Sequence, residues 1–572
     1  MELTEPIVSR VITTETISAI GPEIVLVATA TAIYVLGSIF NARWLWSTLA
    51  GLGLLASAAI LSQVGGSGYG PLADDALGLY IRWLSLGIGG LFVLLTTSAA
   101  VRDQGAEMVG SLLLAISGMM LLATSQELVT VFLGLELISI PTYVLLYLGR
   151  RDVASQESAL KYFFLNILAS AMMLYGFSFL YGLAGSMHLA DIHAALAAGT
   201  SASDQFAPLS SLCILLIFAG LGFKIAAAPF HFYAPDVYQG TTNTNAALLS
   251  IIPKIGGLVV MIRVLLVAMP GFEPFAWRLA LILAILTMTV GNILALWQDN
   301  VRRLLAYSSI AHAGYMLIGL AVAFALAYET GVPSIAGSAF DGVAAVLLYM
   351  AVYAVATVGT FAALTYLGDD SREINTVEEL AGLARSHPVV STMMAVFMFS
   401  LAGIPPLAGF WGKLALFGSA LSVDAGAGGS ELRWWFVLLA IVGVLNAAIA
   451  AAYYLRIIGV MYFRQAVSAP TAEGGQGAWL AMAASALLVV GIGVFSGPLW
   501  TSSLRASRSL LDAPEVAVDR GSSPQDGGVP NVERMATTQP TRDLDGPPPK
   551  LNEQPQTPPA ASSAAFQIVE ID

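Results

Sequence analysis

The chain has little charge. Only 11% of its 572 residues are Asp, Glu, Lys or Arg, whereas an ordinary soluble domain has about 25%. No basic stripe runs along the sequence, which argues against a nucleic-acid partner. Hydrophobic residues make up 57% of the chain, and its mean hydropathy is +0.77. This composition predicts a polytopic membrane protein surrounded by the lipid bilayer.

Cysteine is nearly absent. Cys213 is the only one, and it lies in an apolar stretch. This excludes a disulfide framework, a thiolate zinc site and a cysteine-ligated iron–sulfur cluster within the chain. The sequence also lacks a G-x-G-x-x-G turn after a strand, a P-loop, and a histidine set suited to a metal or haem. We therefore expect no cofactor and no metal in this chain, so that electrons, if they power it, flow elsewhere.

Apolar runs, in contrast, are abundant. A membrane span needs about 20 apolar residues. Fourteen spans are predicted, and they begin near residues 22, 44, 78, 107, 127, 158, 208, 242, 276, 302, 338, 389, 432 and 477. From about Asp512 the chain becomes rich in Pro, Ser, Gln and Asp, which predicts a disordered tail over residues 512–572. The alternative for this tail is a clasp on a neighbouring subunit.

The arginines predict the orientation in the membrane. With the N-terminus outside, nine lie in or beside cytoplasmic loops and four flank the opposite side, so the positive-inside rule and the even span count place both termini outside. The nine are Arg43, Arg102, Arg150, Arg151, Arg302, Arg303, Arg372, Arg385 and Arg464, and the four are Arg82, Arg263, Arg278 and Arg433. Glu2, Glu5 and Glu15 argue against a secretory signal peptide.

Lysine is rare but placed inside the membrane. Of 25 basic residues five are lysines, and Lys224, Lys254 and Lys413 fall within predicted spans. A charge at that depth is costly, and an ammonium, unlike a guanidinium, can release its proton when it is desolvated. The three lysines therefore indicate proton handling. The alternative for each is a side chain that snorkels to the membrane surface.

Each buried lysine lies near helix-breaking residues. The segments GLGFKIAAAPFH (220–231) and GIPPLAGFWGKLALF (403–417) resemble each other loosely, and SIIPKIGG (250–257) is a third case. Because proline removes a helix hydrogen bond and glycine loosens the backbone, we predict three interrupted spans, with Lys254 at a break beside Pro253. Paired interruptions in two halves of a chain are typical of a transport site.

Glu136 is the carboxylate that lies deepest in the first half. We expect it to pair with Lys224 and to hold a proton that moves as the pair changes. A static ion pair that only fixes helix packing is the alternative. His231 and His312 are possible relays or merely packed, hydrogen-bonded histidines. Lys161 either takes part in proton uptake or pairs with Glu157, and Asp341 is expected near the membrane interface.

These residues lie in stretches that resemble the antiporter-like membrane subunits of respiratory complex I, the NADH:quinone oxidoreductase, and most closely its N-type subunits. The quoted resemblance covers residues 131 to about 462 and none of the tail. Lysine at position 413 distinguishes the chain from M-type subunits, which carry glutamate there. The stretches are VFLGLELISIPTYVL, ESALKYFFLNILASAMMLYGFSFLYG, GFKIAAAPFHFYAPDVYQG, GNILALWQDNVRRLLAYSSIAHAGYM, SLAGIPPLAGFWGKLALF and NAAIAAAYYLRIIGVMY.

The resemblance implies an all-α polytopic fold of about fourteen transmembrane helices with two inverted five-helix repeats and interrupted helices. Together with the predicted spans and the composition of the tail, it gives these boundaries: N-terminal segment 1–21, helices 1–3 at 22–106, first repeat 107–270, second repeat 271–465, last helix 466–511 and tail 512–572. Glu136, Lys224, Lys254 and Lys413 match the family's titratable residues of helices 5, 7, 8 and 12.

The resemblance also implies a function and partners. It implies a proton-translocating subunit in a bacterial inner membrane, with NADH or another donor, FMN, iron–sulfur clusters and quinone bound by partner subunits. Those partners would include the M subunit, small membrane subunits and peripheral subunits. Two other functions stay open: a subunit of a multi-subunit cation/proton antiporter, and a membrane scaffold that transports nothing.

Overall fold

The structure, a computed structural model, consists of helices joined by turns and short loops in the part of the chain that it describes. It describes residues 14–40, 42–64, 71–73, 75–97, 104–150, 152–198, 203–270, 272–330, 340–368, 374–423, 430–465 and 471–510. Within these ranges there is no strand, only three isolated β-bridges. The predicted tail, the first 13 residues, and Arg102, Arg151 and Arg372 lie outside the described residues.

Twenty α-helices form the described part of the chain. The first ten are α1 Thr14–Ala19, α2 Gly21–Gly37, α3 Arg43–Leu61, α4 Ala76–Thr96, α5 Gly105–Thr124, α6 Leu128–Gly149, α7 Val153–Ala184, α8 Leu189–Ala198, α9 Ser203–Lys224 and α10 Ala234–Gly240. The others are α11 Asn243–Val260, α12 Glu273–Leu296, α13 Val301–Thr330, α14 Gly342–Tyr366, α15 Leu383–Ser386, α16 Pro388–Ala402, α17 Ala408–Leu421, α18 Ser430–Phe463, α19 Gly475–Val494 and α20 Gly497–Arg508. A π-helical turn, Met261–Val267, continues α11, and a 3₁₀ turn, Val377–Leu380, precedes α15.

The helices agree with the predicted spans. Among the described residues, eleven helices are long and apolar enough to cross a membrane. Shorter apolar helices, Gly21–Gly37, Ser211–Lys224 and Pro388–Ala402, lie at the other predicted spans. The polytopic all-α fold is confirmed, whereas the number fourteen stays a prediction.

Three helices form the interior of the protein. The apolar windows of α13 and α14 are entirely buried, and that of α11 is 94% buried. Outer helices such as α18 are mostly exposed and display large apolar side chains, Val444 and Leu445 among them. Lipid tails are as apolar as these side chains, so the exposed surface costs nothing in a bilayer. Two of the buried lysines lie at this interior: Lys254 is on α11, and Lys413 contacts Tyr315 of α13.

Two of the predicted helix interruptions are confirmed. α9 ends at Lys224, Ala226 has a positive φ of 57°, and α10 begins only at Ala234. α16 ends before Gly403, whose φ of +88° suits a residue without a Cβ, and α17 begins after the two following prolines. Lys224 precedes its interruption and Lys413 follows its own, so the loose similarity of the two segments does not extend to the position of the lysine.

The predicted interruption at Pro253 is wrong. α11 continues as an α-helix from Asn243 to Val260 and contains Pro253 in its interior. A proline removes a single backbone hydrogen bond, and a transmembrane helix tolerates this loss when neighbouring helices enclose it. The departure from α-helical geometry comes later, in the π-helical turn Met261–Val267.

Ion pairs connect α2 with α4, and α4 with the π-helical turn after α11. Arg82 Nε donates to Glu23 Oε1 at 2.8 Å, and Arg263 Nη2 donates to Asp75 Oδ1 at 2.7 Å. Both arginines were assigned to the side opposite the cytoplasm, yet the structure buries them inside the protein. Their charges are neutralised there, so they contribute little to the orientation, which stays a prediction.

Candidate functional site

Lys224 and Glu136 lie together, as predicted. Lys224 Nζ is 3.9 Å from Glu136 Oε1, and the lysine side chain is 3% exposed. The contact is longer than a hydrogen bond, and the carboxylate is 21% exposed at the side chain. A pair at this distance attracts without being locked by a shared proton, so its strength responds to small movements.

Two serines complete this pair, and the sequence did not single them out. Lys224 Nζ donates to Ser139 Oγ at 2.7 Å, and Ser170 Oγ donates to Glu136 Oε1 at 2.7 Å. Ser139 follows Glu136 by three residues on α6, a spacing that places both on one face of the helix. That spacing was the signal for Ser139, whereas Ser170 lies on α7 and only the packing of the two helices brings it to Glu136.

Lys254 lies within the protein and has no carboxylate partner among the described residues. It is 2% exposed, and its Nζ donates to the carbonyl and the hydroxyl of Ser309 on α13. The ammonium also lies 5.8 Å from the centroid of the Tyr353 ring. Its partners are therefore neutral oxygens of a neighbouring helix, not carbonyls freed by a break in its own.

Ser309 and Tyr353 lie between Lys254 and His312: the Tyr353 hydroxyl donates to Ser309 Oγ at 2.8 Å, and the Tyr353 ring packs against the imidazole with centroids 4.9 Å apart. Other hydroxyl groups contact His312 directly. Ser308, next to Ser309 on α13, contacts the Tyr454 hydroxyl at 2.5 Å. The same hydroxyl lies 2.9 Å from His312 Nε2. His312 is 2% exposed, so these bonds are formed away from water. The structure thus gives His312 the neighbours of a relay; whether it acts as one stays a prediction.

Lys413 lies on the other side of His312. The Tyr349 hydroxyl is 2.6 Å from His312 Nδ1, and the Tyr315 ring packs edge-on against the imidazole. Lys413 Nζ lies 4.9 Å from the centroid of Tyr315 and donates to the Ala402 carbonyl at 2.9 Å. That carbonyl ends α16, where helix carbonyls have no partner within the helix and carry partial negative charge. The interruption between α16 and α17 thereby provides the buried Lys413 ammonium with a hydrogen-bond acceptor.

The structure does not join all four predicted residues by hydrogen bonds. In the described residues none connects Lys224 with Lys254. Lys224 instead packs against the helix that carries Lys254. Gly257 lies one turn after Lys254 on α11, and a Cβ added to Gly257 would be 3.4 Å from Lys224 Cβ. Transfer between them would need a mobile group such as water or a movement of the side chains.

None of the three buried lysines snorkels. Their exposures are 2% to 4%, and each Nζ binds a group inside the protein. The alternative of side chains that reach the membrane surface is wrong, because the interior supplies each ammonium with oxygens or an aromatic face.

The remaining predicted residues lie outside this group. Lys161 pairs with Glu157 at 2.7 Å, as expected, and also with Asp236 at 3.2 Å. His231 lies in the interruption after α9, half-buried, and no hydrogen bond between described residues links it to His312. Asp341 caps α14 by accepting from the Ala344 amide at 2.8 Å. The structure brings none of these three to the buried lysines.

The described residues contain no group of three or more His, Cys, Asp or Glu placed to hold a metal ion. The titratable groups inside the protein are instead separated along α6, α9, α11, α13 and α17. Such an arrangement suits single-proton chemistry at each position.

Comparison with known proteins gives one family. The family model "NADH:quinone oxidoreductase/Mrp antiporter, TM" matches residues 125–429. The NADH-quinone oxidoreductase subunit N of Trichlorobacter lovleyi is 40% identical over 68% of this chain and 74% of its own length. The subunit N of Rubrobacter xylanophilus is 37% identical over 85% of this chain and 97% of its own.

A solved structure agrees in fold. A chain in the structure of respiratory complex I from Thermus thermophilus with bound aureothin is 30% identical, with a TM-score of 0.68, and the match covers 84% of this chain and 98% of that chain. The region that the family model matches contains all four predicted titratable residues, from Glu136 to Lys413. The chain therefore belongs to the NADH:quinone oxidoreductase/Mrp antiporter family of membrane subunits, among the relatives named NADH-quinone oxidoreductase subunit N.

Proposed function

We propose that this chain is the proton-translocating N-type membrane subunit of a respiratory NADH:quinone oxidoreductase. One observation supports this most directly: three lysines are buried inside the helical bundle, and only Lys224 has a carboxylate within ion-pair distance among the described residues. A buried ammonium without a countercharge is costly, and it is relieved when the proton leaves. If these buried charges only fixed helix packing, each ammonium would be expected to have a carboxylate partner.

Glu136, Lys224, Lys254 and Lys413 would hold the protons. At a separation of 3.9 Å, Glu136 stabilises the charged form of Lys224, and any movement that weakens the pair favours release. Ser309 and Tyr353, which lie between Lys254 and His312, would transmit the influence of the proton toward Lys413. His312 is proposed as a proton relay, and His231 as a second relay. Lys161 is proposed as a group for proton uptake.

Electron transfer would occur in partner subunits. NADH or another donor, FMN, iron–sulfur clusters and quinone are proposed to bind there. The proposed partners are peripheral subunits, small membrane subunits and above all the M subunit. The arginine bias supports both termini on the outer side of a bacterial inner membrane.

Substitution of the lysines tests the proposal. In the assembled complex, Lys224→Ala and Lys413→Ala should each lower NADH-driven proton uptake, and Cys213→Ala, a buried change on the helix of Lys224, should not. Uptake at the normal rate in both lysine variants would favour the scaffold alternative.

A second candidate function is a subunit of a cation/proton antiporter, since the matching family model covers such proteins as well. The composition of the purified complex decides between the two. Copurification of NADH-oxidising and quinone-reducing subunits supports the oxidoreductase, and their absence together with cation-dependent proton exchange supports the antiporter.

A further inference from the structure

A polar cavity of about 490 Å³ opens on the surface where α7, α10 and α13 begin. Its lining includes Glu157, Lys161 and Asp236. Asp236 also accepts from Arg303 at 2.6 Å. The side chains of Lys161 and Asp236 are 42% and 40% exposed, so the cavity communicates with water. Acidic and basic groups in contact with water can collect and exchange protons.

A buried polar stripe leads from this cavity into the membrane. Ser158, Tyr162, Asn166 and Ser170 recur every fourth residue on α7, which places them on one face, and all four are buried. Ser158 lines the cavity and donates to the Asp236 carbonyl at 3.2 Å. Ser170, 12 residues further and about 18 Å along the helix, donates to Glu136. The stripe therefore connects the cavity with the Glu136–Lys224 pair.

Asn166 lies in the middle of the stripe, and a short series of polar groups leads from it to Lys224. Its Nδ2 donates to the Tyr143 hydroxyl. Ser139 lies one turn before Tyr143 on the same face of α6. Ser139 in turn accepts from Lys224 Nζ at 2.7 Å. Each link of this path is a group that can both donate and accept, apart from the amide at its outer end.

The oxygen atom of the Asn166 side-chain amide lacks a hydrogen-bond donor among the described residues. Asn166 is fully buried, and its Oδ1 has no hydrogen-bond partner among the described residues. A buried acceptor left in this state is costly, so the position favours a water molecule that donates to it. The cavity side of the stripe is the direction from which such a water would come.

We infer that Asn166 and Tyr143 form the inner gate of a proton inlet that runs from the Lys161–Asp236 cavity along α7 to Lys224. The inference deepens the proposed function and rests on it. Asn166 is a positioning residue, because its amide takes up no proton and instead holds a water and the Tyr143 hydroxyl in line. Tyr143 receives one proton from the water side as it passes its own to Ser139. Ser139 donates to the Leu135 carbonyl in the structure; its hydroxyl would rotate from there toward Lys224 and pass its proton to the neutral amine as it receives one from Tyr143, so no charge stays on the path.

The test uses the assembled complex in inside-out membrane vesicles. Asn166→Leu removes the amide at similar volume, and Tyr143→Phe removes only a hydroxyl. Both should slow NADH-driven proton uptake about tenfold, the effect of one lost hydrogen bond to a reacting group, and both should raise the solvent isotope effect. Asn166→Gln should restore part of the rate. Tyr147→Phe is the matched control, since it removes the same hydroxyl one turn after Tyr143 on α6, where the side chain is 63% exposed and outside the path.

A normal rate of proton uptake together with a normal isotope effect in Tyr143→Phe would overturn the inference. If Asn166→Leu fails to assemble, the result for Tyr143→Phe alone is decisive. An equal loss in Tyr147→Phe would also overturn it, because the effect would then not be specific to the path. If Lys224→Ala abolishes uptake while both gate variants are normal, the gate is wrong and the proposed function stands. If Lys224→Ala and Lys413→Ala are also normal, the proposed function itself fails.

Discussion

Replacing Glu136 by glutamine removes the countercharge of Lys224 and keeps the shape of the side chain. The two charges are 3.9 Å apart. At an effective dielectric constant of about 20 their attraction is about 4 kcal/mol, which corresponds to roughly a thousandfold change in an equilibrium constant. Glu136 is 21% exposed at the side chain, so solvent screens part of this energy. The substitution should therefore shift Lys224 toward its neutral form by less than this limit.

The consequence for function is slower proton transfer through the pair. In inside-out vesicles supplied with NADH, we expect proton uptake, measured by quenching of a pH-sensitive dye, to fall about tenfold in Glu136→Gln. Glu136→Asp keeps the charge on a shorter side chain and should retain part of the rate. The amount of assembled complex should be unchanged, because Ser139 still accepts from Lys224.

Glu378→Gln provides the matched control. Glu378 also pairs with a basic residue, Arg464, but both side chains are about 60% exposed, and such pairs contribute about 0–1 kcal/mol. Proton uptake in this variant should stay within about twofold of the parent. If Glu136→Gln took up protons as fast as the parent and with the same yield per NADH, the carboxylate would have no role in translocation and the reasoning would be refuted.

Two further predictions concern residues that support the site. Gly403→Ala places a Cβ 2.8 Å from Lys413 Cδ at a φ of +88°, so it should cost about 1–2 kcal/mol and displace the lysine. Lower thermal stability together with slower proton uptake would confirm this, and a parent-like complex would contradict it. Burial raises the pKa of Asp75, but the Arg263 guanidinium outweighs burial, and the pKa is lowered overall. The ion pair therefore stabilises the protein fully at pH values above the ordinary carboxyl pKa of about 3.9. This stabilisation is lost as the pH falls through the lowered pKa of Asp75. Asp75→Asn should cost about 3 kcal/mol at pH 7, and the difference in unfolding temperature from the parent should shrink in acid; a difference independent of pH would contradict the assignment.

The polytopic helical fold could be predicted from the sequence because lipid imposes a simple rule. A helix must satisfy its own backbone hydrogen bonds in hydrocarbon and needs about 20 apolar residues to cross it, so composition and length suffice to locate the spans. The interruptions near Lys224 and Lys413 could be predicted for a related reason, since glycine and proline act locally. At Pro253 the same local rule failed. Enclosure of α11 by other helices decided the outcome there, and no local pattern records it.

The pairing of Glu136 with Lys224 was predicted by elimination, since few other charges lie at that depth. The partners of Lys254 and Lys413 were not predicted. Serines and tyrosines such as Ser309 and Tyr315 are common in membrane helices, and nothing in their local spacing distinguishes the ones that touch an ammonium. Their role depends on how α11, α13 and α17 pack.

By itself, the sequence determined that the chain is a helical membrane protein with titratable groups inside the bilayer. Depth follows from position within an apolar run, and the cost of charge at that depth follows from solvation. Only the tertiary structure decided which groups meet. It placed Ser139 and Ser170 around the Glu136–Lys224 pair and His312 between two tyrosine hydroxyls, because contacts between helices depend on side-chain packing over the whole length of each helix.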